Sequence, residues 1–348
     1  MKHKGEFGNR TAYEIKSDVS KYTWEGFLIF VAVSSLIGDT TILIASLKYR
    51  SIKLHRTIVV IIQHIAFCDL MVVMTDVLPK IISIATEEWV LGNFMCRATT
   101  YARYFFILAS LLLICTMTTS KMFLIKYPLR FGRIAMKTTH CLCVASWMGA
   151  LAFPSVLLLS DKQAIYFSYR GYQCNFADFD ASPTFYWLKP TLAVLLIFIP
   201  ACLVVATTVY ILVEAKKVAR RSRGNLKWQG TMTTVATASF YFISVLPLVT
   251  YRVLESFSKV EDKSESFLFK HFYRVAISFP FINTISNFYI YCLTVASFRE
   301  FVLSRAHRCC RFVRRVHSFN DNGTGEMTKT KSTRSNKGTK GTNELAVL

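Results

Sequence analysis

Residues 96–130 read CRATTYARYFFILASLLLICTMTTSKMFLIKYPLR. A long apolar run carries Arg103 near one end and Lys121 near the other. Eighteen positions at the helical rise separate these cations by about 27 Å, close to a bilayer's hydrocarbon thickness. Steps of four and three from Arg103 reach Ile107, Ser110, Ile114, Met117 and Lys121, so all six lie on one helical stripe. A stripe with polar residues at top, middle and bottom suits protein neighbours rather than lipid. The segment is expected to be the central rod of a membrane bundle.

Composition supports a membrane protein. The chain has 348 residues, 53% hydrophobic and only 18% charged. Soluble domains carry about a quarter charged residues. Blocks of apolar sequence at about 24–47, 57–84, 138–159, 185–213, 229–251 and 272–296 join the opening stretch, making seven spans. The expected fold is an all-α membrane protein, a seven-transmembrane helix bundle. The net charge of +21 would suggest nucleic acid in a soluble chain. Here the bases sit in short loops and the tail, with no RNA-binding or helix-turn-helix pattern, so the positive-inside rule accounts for them. Loops after spans one, three and five carry fourteen Lys and Arg against Glu214 alone. That places the N-terminus outside and the C-terminus in the cytoplasm, with the first span directing insertion.

The layout expected is an extracellular tail over residues 1–23, the bundle over 24–297, a surface helix over 298–316 and a disordered tail over 317–348. In the surface helix, Phe298, Phe301, Val302 and Cys309 share a face while Arg299, Arg305, Arg308 and Arg311 lie elsewhere, as inner-leaflet helices require. Cys309 and Cys310 are candidate palmitoylation sites there. Asn9 begins an outward-facing glycosylation sequon, whereas Asn322 begins a chance match on the inner side. Cys96 and Cys174 are the cysteines at the outer edge, where a disulfide is chemically permitted. No His/Cys cluster has zinc-site spacing, and no Ser/His/Asp set or phosphate loop supports an enzyme.

Motifs in order then bring a resemblance. Span two has Ala66-Phe67-Cys68-Asp69, the outer loop Trp89-Val90-Leu91-Gly92 before Cys96, span four Trp147 and span five Pro200. Tyr127-Pro128-Leu129-Arg130 follows span three, and span seven reads Asn283-Thr284-Ile285-Ser286-Asn287-Phe288-Tyr289-Ile290-Tyr291 before Phe298-Arg299. Together these resemble the rhodopsin-like (class A) G-protein-coupled receptors over residues 24–311. The resemblance implies an extracellular ligand, a heterotrimeric G protein, arrestin, a plasma-membrane location and a Cys96–Cys174 disulfide. It departs at the switch positions. The D/E-R-Y motif is Ser120-Lys121-Met122, the tryptophan of C-W-x-P is Val245, the proline of N-P-x-x-Y is Phe288, and the span-one asparagine is Asp39. Tyr291 is retained among the residues facing the G protein. Lys121 keeps a charge but loses arginine's planar fork, and Ser120 removes the local acid. Either high basal activity or weak coupling follows.

Two buried polar groups carry the site expectations. Asp69, Ser110, Asn283, Thr284 and Asn287 match the family's sodium pocket, where oxygen ligands and one carboxylate suit a hard cation. The alternative is a hydrogen-bonded cluster without an ion, and Asp39 adds a second acid nearby. No other cofactor is indicated. Arg103 stands where amine receptors carry an aspartate, which argues against monoamines and suits an anionic ligand group. It could instead pair with Asp76, two turns outward from Asp69. Tyr104, Tyr251, Arg252, Glu255, Tyr273 and Arg274 are expected to rim the same cavity. Residues 275–296 contain no lysine, which rejects a retinal Schiff base. A seven-span transporter would show internal repeats, and none is visible. A receptor-shaped scaffold without G-protein coupling is the remaining alternative.

Overall fold

The computed structural model describes residues 12–48, 56–160, 165–168, 172–176, 191, 194–221, 225–257 and 267–305. Asn9, Cys309 and Cys310 lie outside these residues, and Arg252 and Glu255 lie in a described helix with their side chains outside the description. The chain divides into two compact units after Phe301, the first holding the bundle.

The elements are α1 (Ala12–Lys48), α2 (Arg56–Val72), a π-turn (Val73–Val77), α3 (Leu78–Thr86), α4 (Gly92–Lys126) and α5 (Pro128–Ser160). A two-stranded antiparallel hairpin follows, β1 (Ile165–Ser168) with β2 (Gln173–Phe176), in which Phe167 faces Cys174. Then come a second π-turn (Val194–Phe198), α6 (Ile199–Arg221), α7 (Asn225–Phe257), α8 (Phe267–Ser278) and α9 (Pro280–Thr294). A short α10 (Ala296–Arg305) completes the described chain. Six helical stretches among the described residues are long and apolar enough to cross a membrane. Phe272–Thr294 passes the same test together with α10.

Three differences from the sequence expectation have local causes. The second span is not one uniform helix. Pro79 has no N–H to offer the carbonyl four residues back, and the Leu78 N–H bonds the Val73 carbonyl in a π-turn that carries Asp76. Likewise Pro280 interrupts the seventh span, where the Ile282 N–H bonds Phe279 at 2.9 Å. Finally, the expected loop around Lys126–Lys137 is almost entirely helical. Tyr127 alone separates α4 from α5, because Pro128 sits at a first helical position that needs no N–H donor.

α4 packs against α2, α5, α6, α7 and the hairpin, which makes it the central rod. Arg103, Ser110, Ile114, Met117 and Lys121 are buried as the stripe requires. Ile107 is the exception, at 36% exposed. It stands about 40° to one side of the line through Arg103, since 3.6 residues per turn do not divide evenly into steps of four and three. On the far side of the bundle Trp147 packs among His64, Phe67, Phe105 and Phe106, and its indole N–H bonds His64 Nδ1 at 3.3 Å.

One close approach joins α1 to α9. A Cβ on Gly38 would lie 2.9 Å from Phe288 Cβ and 3.1 Å from its Cγ. Glycine in α1 is therefore what lets α1 approach Phe288 of α9 this closely. Gly38→Ala is expected to cost about 1–3 kcal/mol by overpacking. Thermal melting in detergent would read the loss, and adding Phe288→Ala should leave most of it in place, because alanine keeps the Cβ that lies 2.9 Å away.

Candidate functional site

The bundle holds buried polar groups at three levels along α4. At the disulfide end, Cys96 near the start of α4 is bonded to Cys174 in β2, with Cα atoms 5.4 Å apart. Thr100 Oγ1 donates to the carbonyls of Cys96 and Cys174 at 2.8 and 3.0 Å, fixing the hairpin against α4. One turn deeper, Arg103 Nε donates to Asp76 Oδ1 at 2.7 Å. Its Nη1 donates to the Cys174 carbonyl at 2.9 Å and to Asn175 Oδ1 at 3.0 Å. The arginine thus joins α4, the π-turn and β2.

Sequence reasoning missed Lys80. Its Nζ lies 3.6 Å from the same Asp76 Oδ1 and 4.6 Å from the Phe281 ring centroid. The signal was available, since Asp76 and Lys80 are four apart on a helical segment. The expected rim is only partly assembled. Tyr251 and Tyr273 are buried with ring centroids 5.0 Å apart, and Tyr104 is half-buried. Arg274 turns toward α1, where it lies 5.5 Å from the Trp24 ring and 5.9 Å from Tyr172. Trp24, also missed, ties α1 to α8 by donating to Ser278 Oγ at 2.6 Å. At the same end Lys21 pairs with Glu87, and that hydrogen bond holds the exposed Glu87 carboxyl below its usual range.

At mid-depth Asp69 accepts a hydrogen bond from Asn287 Nδ2 at 2.7 Å. Asp39 accepts one from Ser35 and lies within electrostatic reach of Asp69. Asp39 Oδ1, Asn283 Oδ1 and Asn287 Oδ1 are buried without a hydrogen-bond partner. Ser110 meets the Cys68 thiol, and Thr284 donates to the Phe281 carbonyl at 2.7 Å. Two carboxylates with three unmatched acceptor oxygens fit a hard cation better than a closed hydrogen-bond network. Asp69, Asp39, Asn283 and Asn287 are the residues that could hold one, with Ser110 and Thr284 beside them in the wall.

At the opposite end Ser120, Lys121 and Tyr291 are buried, and Met122 is half-buried. Among the described residues Lys121 forms no ion pair. The Tyr291 ring meets Phe298 edge-on at 6.3 Å, and Thr233 bonds Thr294 at 2.8 Å, closing α7 on α9.

Comparison with known proteins fixes the family. The family described as "7 transmembrane receptor (rhodopsin family)" matches residues 38–291, almost three quarters of the chain. The chain belongs to the rhodopsin family of seven-transmembrane receptors. This is a family of receptors rather than enzymes. The receptor is 26% identical over 198 residues to the gonadotropin-releasing hormone receptor of Octopus vulgaris, covering 56% of this chain and 46% of that one. It is 23% identical over 168 residues to cysteinyl leukotriene receptor 1 of Mus musculus, covering 48% and 46%. It is 27% identical over 144 residues to the vasopressin V1b receptor of Homo sapiens, covering 40% and 33%. The aligned region is thus less than half the length of these relatives. Squid rhodopsin shares the fold, with a TM-score of 0.67 and 16% identity over 81% of this chain and 84% of that one. The seven-transmembrane bundle and the Cys96–Cys174 disulfide expected from sequence both stand.

Proposed function

We propose that this receptor sits in the plasma membrane with its N-terminus outside, binds an extracellular ligand at the disulfide end and signals to heterotrimeric G proteins and arrestin. The observation that carries the reading is the buried Arg103–Asp76 pair directly beneath a hairpin pinned by Cys96–Cys174. The hairpin would face outside, where disulfides persist. Its relatives carry names that include a hormone receptor and a leukotriene receptor; a ligand with an anionic group would suit the cationic Arg103. A monoamine would meet like charge at Arg103. Tyr104, Tyr251 and Tyr273 supply aromatic walls, with Arg252, Glu255 and Arg274 placed on the same outer ends of the bundle.

The test is a ligand screen read by G-protein and arrestin reporters, with Arg103→Ala as the control. A response in the wild type that the variant loses supports the assignment. A receptor at the cell surface that binds ligand yet drives neither reporter would favour the scaffold reading, which the replacements Lys121, Val245 and Phe288 motivate.

The mid-depth cluster is proposed to hold sodium through Asp69, Asn283 and Asn287, beside Ser110 and Thr284. When bound, the ion would supply the positive charge that two buried acids require. Purified receptor in sodium chloride is expected to melt about 2 °C or more above the same sample in choline chloride. Asp69→Asn should remove that difference, and sodium should weaken agonist binding only while Asp69 is intact. An equal salt response in wild type and variant would end the assignment.

A further inference from the structure

Asp76 is one carboxylate facing two buried cations. The side chains of Lys80, Asp76 and Arg103 are 1%, 2% and 9% exposed, so solvent neutralises none of them. Arg103 is closely held. Its bonds of 2.7, 2.9 and 3.0 Å to Asp76, Cys174 and Asn175 are short, and two of them end on β2. Lys80 is not held in the same way. At 3.6 Å from Asp76 Oδ1 its ammonium is beyond a strong hydrogen bond, and Phe281 offers only the face of a ring. Among the described residues Asp76 is the one acid that pairs with either cation. Among the described residues the cluster therefore carries an excess positive charge, located on Lys80.

An ammonium has three donors and seeks an anion when desolvated. β2 packs on both α4 and α3, the helix that carries Lys80. We propose that Lys80 is the residue that binds a small monoanion, either the carboxylate of a ligand or a free halide, while Asp76 and Arg103 act as positioning residues. This rests on the proposed function and deepens it: Lys80 takes the anionic group, while Arg103 holds Asp76 and β2 in place beside it. It also predicts an oddity of stability: without the anion, Lys80 should be a liability that a similarly shaped apolar side chain relieves.

The receptor, purified in detergent, would be melted at constant sodium and ionic strength in isethionate, chloride or acetate, isethionate being a bulkier sulfonate that carries no carboxylate. In the wild type, acetate or chloride should raise the melting temperature about 2 °C or more above isethionate. A larger rise in acetate identifies a carboxylate site, and a rise in chloride alone identifies a halide site. Lys80→Met should lose the increment and melt higher than the wild type in isethionate, whereas Lys80→Arg should keep the increment. An equal anion response in wild type and Lys80→Met, or no response in the wild type, overturns the proposal. So does a Lys80→Met receptor that melts lower than wild type in isethionate, because Lys80 would then be a structural partner of Asp76. Signalling reporters play no part in this measurement. A receptor that binds anions but couples to no G protein would leave Lys80 assigned and overturn only the signalling role.

Discussion

Asp76→Asn is expected to abolish most surface expression and to lower stability by about 3–5 kcal/mol, the usual consequence of removing one partner of a buried ion pair. The effect should be at the upper end here. Asp76 faces Arg103 at 2.7 Å and Lys80 at 3.6 Å, so its loss leaves two buried like charges together. An asparagine oxygen could still accept from Arg103 Nε, but it neutralises nothing. Adding Lys80→Met to Asp76→Asn should restore part of the loss by removing one cation. Cell-surface labelling and melting of the double and single variants would measure this coupling. A double variant whose stability equals the sum of the two single effects would show that Lys80 and Asp76 do not interact.

The second expected result concerns the other end of α4. Ser120→Asp should lower basal second-messenger output roughly 3- to 10-fold, which corresponds to about 0.7–1.4 kcal/mol of added preference for the resting state. Lys121 is buried at 8% exposure, and among the described residues it has no ion-pair partner. Nothing described there holds its charge in one arrangement. An aspartate at position 120 supplies an acid that the long lysine stem can reach, and so it favours the conformation in which they pair. Lys121→Arg should keep or increase output, because the fork preserves the charge and adds directed donors. A wild type with no basal output, and no gain in Lys121→Arg, would refute a restraint-free switch and favour lost coupling.

Particular residues show how far sequence reading reaches. The stripe from Arg103 to Lys121 gave α4 its buried face by periodicity alone, and the error at Ile107 is the small mismatch between helical period and step. Asp76 was identifiable as a partner for Arg103 because the two are opposite charges at similar depth, and an unpaired charge there is expensive. Lys80 was overlooked although its spacing from Asp76 was in plain view. A lysine near the end of an apolar span is ordinarily expected to extend toward water. Only the π-turn before Pro79 and the packing over Phe281 place it inside. Gly38 and Phe288 stand 250 positions apart, and no local pattern connects them; their contact exists only once α1 lies on α9.

By itself the sequence determined the membrane class, the number of spans, the central rod, the family resemblance and the pair of cysteines that close the hairpin. These follow from hydropathy, periodicity and ordered motifs, which are one-dimensional properties of the chain. Tertiary structure alone decided which cation Asp76 holds closely, which one it leaves in excess, and which oxygens of Asp39, Asn283 and Asn287 remain without donors. The reason is physical: charge compensation is settled over a few ångströms between helices, and prolines that shift a helix by a fraction of a turn decide which side chains meet.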